Sequence, residues 1–226
     1  MKPLKDYSFI KGVNYGMPKD DTITLRDLGY AKRLGINSVR IWLSYQAYED
    51  KGDAYIRRLQ DYVRTCHSVG VSVMPILFNG NGLDPAILEE DFLPRGEAFC
   101  RAVVDALHDE PGLIMYDIMN EPPCNDLILK APDEAKKQTV YAKIWRFVRH
   151  VCTRIKALDP NNCLTVGNWL AVDMESSADL VDVLSYHDYS SSLKGIIENA
   201  DRALEAGRKW GKPVINNETG CIGRGN

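Results

Sequence analysis

Along the chain, short and mostly apolar runs alternate with longer stretches in which apolar residues recur every three or four positions. These are the periods of strand and helix. Phe9–Tyr15 reads as a first short strand ending at the turn Gly16-Met-Pro18. Asp20, Asp21 and Thr22 offer N-cap chemistry, Leu25, Leu28, Ala31 and Leu34 follow at helical spacing, and Gly35 closes the helix. Ile36–Leu43 is the second strand. Ala54–Val69 is amphipathic, with Ile56, Leu59, Tyr62, Val63 and Cys66 on one face and Gly70 at its end. Val71–Phe78 is the third strand and runs into the loop Asn79-Gly-Asn-Gly82. A helix over Phe92–Leu107 leads to the fourth strand, Leu113–Asn120, which Pro122 and Pro123 stop after Glu121. Asp133–Leu158 is a long helix with Tyr141, Ile144, Trp145, Val148 and Val151 as its apolar stripe. The turn Asp159-Pro-Asn-Asn162 opens the fifth strand, Cys163–Gly167. A short helix around Ser176–Leu180, a sixth strand over Val181–Tyr186, a helix over Leu193–Trp210 and a seventh strand over Pro213–Asn217 complete the pattern.

Strands alternating with helices predict a parallel sheet with right-handed crossovers. Two closures are open to it, a doubly wound sheet or a (β/α)8 TIM-barrel type fold. The barrel is preferred because polar or aromatic residues stand at nearly every strand tip: Asn14, Tyr45, Asn79, Glu121, Asn168, His187 and Glu218. The first strand-to-helix turn also lacks a phosphate-binding glycine fingerprint. The expectation is one domain over residues 1–226 with seven strands recognisable. Only eight residues follow Glu218, too few for an eighth strand and its helices. The reading is therefore of a C-terminally incomplete barrel whose open seam leaves the first and last strands unpaired and invites self-association.

Composition narrows the classes. A net charge of −3 argues against nucleic-acid partners, which need a basic surface. No apolar run is long enough for a membrane span. The N-terminus lacks the apolar stretch of a signal peptide, so the chain is read as cytoplasmic or as secreted with its signal removed. Six cysteines without a Cys-x-x-Cys pair read as reduced thiols rather than a zinc or redox motif.

The candidate chemistry begins with strand parity. On the second strand Val39, Ile41 and Leu43 share the face toward the helices, so Arg40 points into the barrel and needs a carboxylate partner, either Glu218 or Asp117. Glu121 and Glu218 end the fourth and seventh strands on one rim. A pair of carboxyl groups across a cleft is what glycosidic cleavage needs, one giving a proton to the leaving oxygen and the other attacking the sugar. For that division their surroundings must separate them, with Arg40 holding its partner ionised.

Taken together, Asn120-Glu121-Pro122, His187-x-Tyr189, Glu218-Thr-Gly220 and Arg40 within Ser-Val-Arg-Ile resemble the retaining glycoside hydrolases of clan A, most of all the cellulase-like family 5. The resemblance implies that Glu121 is the acid/base and Glu218 the nucleophile. It implies further that Asn120 bonds the sugar 2-hydroxyl and that His187 and Tyr189 orient the site, Tyr189 toward the nucleophile. The implied substrate is a β-linked oligo- or polysaccharide of the β-glucan or β-mannan class, cleaved through a covalent glycosyl-enzyme without a cofactor. Trp169 is a candidate stacking platform and Asn79, with Asn81, a candidate sugar contact, while Trp42 is assigned to the core and Trp145 and Trp210 to helix packing. His67, His108 and His150 fall on helices without metal-ligand spacing, so no metal site is expected. The alternative is a weakly active or inactive carbohydrate-binding barrel remnant that needs a partner chain or self-association to complete its cleft.

Overall fold

The computed structural model describes residues 3–18 and 21–220, the Asp21 side chain excepted. Asp20, Cys221 and the rest of the C-terminal segment lie outside the described residues. Seven parallel strands lie in chain order in one nearly closed barrel, alternating with helices. The strands are β1 (Gly12–Tyr15), β2 (Ser38–Trp42), β3 (Ser72–Asn79), β4 (Tyr116–Asn120), β5 (Leu164–Asn168), β6 (Leu184–Asp188) and β7 (Val214–Thr219). The helices are α1 (Asp21–Arg33), α2 (Tyr45–Lys51), α3 (Asp53–Ser68), α4 (Leu93–Leu107), α5 (Asp126–Leu129), α6 (Glu134–Leu158) and α7 (Leu193–Trp210).

Two apolar clusters explain the layering. The larger lies between sheet and helices and takes the outward side chains, among them Val39, Ile41, Phe78, Ile118 and Val166, against the stripes of α3, α4 and α6. The smaller fills the base of the barrel with Met74, Met115, Cys163 and Val183, closed below by Tyr7. Above that plug the interior turns polar: Ser38, Arg40, Asp117, Thr165, Ser185 and His187 are all buried. Thus the barrel is apolar at its base and carries its charge toward the strand tips, where barrel sites form.

Two register shifts shape the rim. The β4–β5 ladder slips between Asp117 and Asn120, and the β6–β7 ladder slips between Tyr186 and His187. A bulge of this kind re-aims a side chain against the strict two-residue alternation. It turns Asn120 inward although Asp117, three residues earlier, also faces in.

Several expectations need correction. The fourth strand is shorter than the apolar run: Leu113 makes only an isolated bridge to Val73. The short helix expected around Ser176–Leu180 is a 3-10 turn over Ala171–Ser176, because Asp173 accepts from the Leu170 N–H and winds the chain earlier. Two further 3-10 turns, Pro85–Leu88 and Glu90–Phe92, and the helices α2 and α5 were not foreseen. Tyr45 does not reach the rim; its ring packs edge-on against Phe92 at 4.9 Å and its hydroxyl bonds Asp84. Trp42, expected in the core, is 37% exposed at the tip of β2, with the Arg40 guanidinium 5.5 Å from its ring centre.

Among the described residues β1 and β7 each have a strand neighbour on one side only. Their Cα atoms approach within 8 Å, less than the ~9.6 Å that two strand spacings would require. A cavity of about 1210 Å³ runs along this seam, from Tyr7 and Met74 near the base to Arg40, Tyr189 and Glu218 near the rim.

Candidate functional site

Arg40 is the hub of the rim. Its side chain is 4% exposed, so each of its donors needs a partner. Nε gives a hydrogen bond to Asp117 Oδ2 at 2.9 Å, and Nη2 reaches the same oxygen at 2.8 Å and Asn120 Oδ1 at 2.9 Å. Nη1 donates to Glu218 Oε2 at 2.6 Å and to Asn14 Oδ1 at 3.4 Å. The sequence left Glu218 and Asp117 as alternatives; the guanidinium takes both.

Glu218 is held at both oxygens. Arg40 occupies Oε2, while the Tyr189 hydroxyl donates to Oε1 at 2.7 Å. A group that accepts at both oxygens has the hydrogen-bond pattern of a carboxylate. Tyr189 keeps its proton firmly, since burial and the hydrogen bond to Glu218 both push its phenol up.

Glu121 sits at the other side of the cleft and is buried. Its backbone has φ +45, a left-handed conformation that a glutamate adopts only when its surroundings enforce it. The enforcing contacts are short: its N–H donates to Gly167 O at 2.6 Å, and Gly80 N–H donates to the preceding Asn120 O at 2.6 Å. Gly80 lies so close that a Cβ there would stand 2.1 Å from Glu121 O, so only glycine fits. The Glu121 carboxyl meets His187, whose Nδ1 is 2.8 Å from Oε1. Burial pushes this carboxyl up, but the hydrogen bond and charge of His187, aided by the Cys124 thiol and Arg40, outweigh it and leave Glu121 below its ordinary range. In the free site, then, Glu121 leans toward its ionised form. The sequence reading had His187 orienting the site and did not anticipate its direct contact with the Glu121 carboxyl.

One oxygen of Glu121, one ring nitrogen of His187 and one oxygen of Glu218 all lie within 4.8 Å of one another. By spacing alone these three could hold a metal ion. Against that, Glu218 already accepts two hydrogen bonds and carries a guanidinium at 2.6 Å, which repels a second cation.

The remaining expected residues fall on the same rim. Asn120 Nδ2 donates to Asn79 Oδ1 at 3.0 Å, which makes Asn79 a brace for Asn120. Trp169, just beyond β5, is 36% exposed. Asn168, one residue earlier, instead donates to the Val166 and Ser185 carbonyls and ties β5 to β6. Cys124 lies beside Glu121, and burial together with that carboxylate pushes its thiol up to about 11. Gly167 was unremarked in the sequence. A Cβ there would come within 2.5 Å of Arg40 Nη2, 2.9 Å of Asp117 Oδ2 and 3.2 Å of His187 Nε2, so its bare backbone makes room for the charged cluster. Its place at an inward position of β5, between Thr165 and the rim, was the signal available.

The fold is thus of the (β/α)8 barrel class, with its polar cluster at the C-terminal ends of the strands. The family model described as Cellulase (glycosyl hydrolase family 5) matches residues 10–226, and the chain belongs to that family. Solved structures share the fold. The endo-1,4-β-mannanase from Rhizomucor miehei aligns with a TM-score of 0.75 and 16% identity over 93% of this chain and 77% of its own. An endo-β-1,4-mannanase from Thermotoga petrophila aligns with a TM-score of 0.67 and 17% identity over 93% of this chain and 60% of its own. A GH2 β-galacturonidase from Eisenbergiella tayi aligns with a TM-score of 0.60 and 19% identity, over 93% of this chain and 35% of its own. The chain therefore spans between about a third and three quarters of the length of these proteins. No curated protein matches the chain significantly.

Proposed function

We propose that this chain is a retaining β-glycoside hydrolase in which Glu218 is the nucleophile and Glu121 the acid/base. The observation that carries the reading is the approach of the two carboxyl groups, with oxygens within 4.8 Å, while Arg40 and Tyr189 hold one of them. A retaining site needs its carboxyl groups ~5 Å apart, whereas an inverting one leaves room for a water and separates them by ~6.5–9.5 Å.

In the first step a Glu218 oxygen attacks the anomeric carbon and the glycosidic C–O bond breaks. The leaving oxygen takes a proton from the Glu121 carboxyl, which the contact with His187 Nδ1 holds in place. The ester that forms has lost the negative charge of Glu218, so Glu121 gives up a proton more readily than before. In the second step Glu121 removes a proton from water, the water oxygen attacks the same carbon, and the ester bond breaks to restore Glu218. Asn120, whose Nδ2 has a second hydrogen beyond the one given to Asn79, suits the sugar 2-hydroxyl. Trp169 and the exposed Trp42 offer faces for sugar rings.

The substrate class we infer is β-1,4-linked mannan or glucan. The mannanase names of two structural neighbours support the first and the family's description supports the second. The test is hydrolysis of β-mannan, β-glucan and aryl β-glycosides by the wild-type chain, Glu121→Gln and Glu218→Gln. Each variant is expected to lose ~10²–10⁴ of the turnover, the usual scale for a positioned proton donor or more for a nucleophile. Turnover that survives both substitutions would overturn the assignment.

A further inference from the structure

We propose that Asp117 is a positioning residue for the nucleophile, aiming the Arg40 fork at Glu218 and offsetting part of its charge. The proposal rests on the reading of Glu218 given above. Asp117 is fully buried in the barrel interior, one layer below the rim, and touches no reacting atom. Its two oxygens nevertheless gather groups from three other strands. Oδ2 accepts from Arg40 Nε of β2 at 2.9 Å, with Nη2 in ion-pair contact at 2.8 Å, and from Asn217 Nδ2 of β7 at 3.1 Å. Oδ1 accepts from the Gly167 N–H of β5 at 2.9 Å.

A guanidinium has five N–H donors in a rigid plane, and here they turn to four neighbours: Asp117, Asn120, Glu218 and Asn14. With Asp117 against the Nε/Nη2 edge, the Nη1 end is turned toward Glu218 and Asn14. Asn217 is also the residue directly before Glu218, at the shift in the β6–β7 register, so the same carboxylate pins the backbone that presents the nucleophile. Among the described residues β7 has a strand neighbour on one side only, so the cross-barrel tie adds a constraint from the barrel interior.

Asp117 also acts through its charge. The groups around Glu218 are Arg40 from β2, Tyr189 and His187 from β6 and the segment after it, and Glu121 and Cys124 from the segment after β4. Arg40 is the full positive charge in contact with Glu218, and Asp117 neutralises part of it. A carboxylate paired with an undivided guanidinium is a poorer nucleophile, because the attacking lone pair must be withdrawn from a stronger ion pair.

The experiment is a comparison of Asp117→Asn, which keeps the shape and removes the charge, with the wild type, reading kcat, KM and the pH dependence of kcat/KM on an aryl β-glycoside. The expected result is a kcat at least 10-fold lower with little change in KM, and an acid limb displaced to lower pH by about one unit, the size that a neighbouring charge produces. A folded Asp117→Asn with wild-type kcat and pH profile would overturn the proposal. If Asp117→Asn does not fold, Asn217→Ala decides: a lower kcat at unchanged KM supports the tie to β7, and wild-type kinetics overturn it. Failure of the underlying reading looks different, because then Glu218→Gln itself keeps its activity.

Discussion

Glu121 shows how a single side chain takes its character from what surrounds it. Folding places it below its ordinary range through His187, Cys124 and Arg40 in spite of burial. A carboxyl depressed in the folded state favours folding above its unfolded value near ~4.3 and loses that contribution as the pH falls from there through its lower folded value. Urea unfolding from pH 7 to pH 3 is therefore expected to show the wild type losing stability relative to Glu121→Gln as the carboxylate range is crossed. A stability difference that stays constant with pH would contradict this. At this scale much of the site was legible in the sequence. Parity alone turned Arg40 inward, and the demand for a counter-charge pointed to Glu218 and Asp117. What parity could not show was that a bulge lets Asp117 and Asn120 both face in, or that Gly80 and Gly167 are glycines because backbone and charge come too close for a Cβ. Such close approaches depend on strands far apart in the chain. The exposure of Trp42 was missed because its place at a strand tip, rather than its type, decides it.

Among the elements, β3 couples packing to the site. Phe78, one residue before Asn79, turns outward into a cluster of rings, edge-on to Phe147 of α6 at 4.9 Å and to Phe99 of α4 at 5.7 Å. Removing the Phe147 ring leaves a cavity against both Phe78 and Phe92. Phe147→Ala is expected to cost about 3–5 kcal/mol in urea denaturation, the usual range for such a truncation. A loss below about 1 kcal/mol would show that the helix collapses into the gap. Long helices with a clear stripe were readable: α7 runs over the very residues its pattern predicts, from its Ser192 cap to Gly211 at φ +62. Short elements were not. α2 has seven residues and starts at the Ser44 cap, whose Oγ accepts from Ala47 N–H at 3.1 Å. A signal that brief was hidden by the reading of Tyr45 as a strand tip.

For the whole molecule, the order of strands followed directly from their order in the chain, and the seam between the first and last was expected from the count of strands. The structure adds that the two edges draw within 8 Å without pairing among the described residues, beside a cavity that opens toward Glu218. Unpaired edges with apolar side chains are sites of association. Val13 is 41% exposed on β1, and α7 presents Leu193, Ile196 and Ile197 to solvent. Sedimentation velocity is expected to show association that rises with concentration and is reduced in Val13→Lys. A monomer at all concentrations, unchanged by the substitution, would show that the seam is closed to partners.

Everything proposed for this chain turns on a bond from Glu218 to sugar. An aryl 2-deoxy-2-fluoro-β-glycoside, which slows the breakdown of such an ester, tests it most directly when followed by intact-protein and peptide mass spectrometry. The expected result is one added fluorosugar per chain, located on the peptide carrying Glu218 and absent in Glu218→Gln. Turnover of ordinary glycosides with no adduct, or an adduct on another residue, would contradict it.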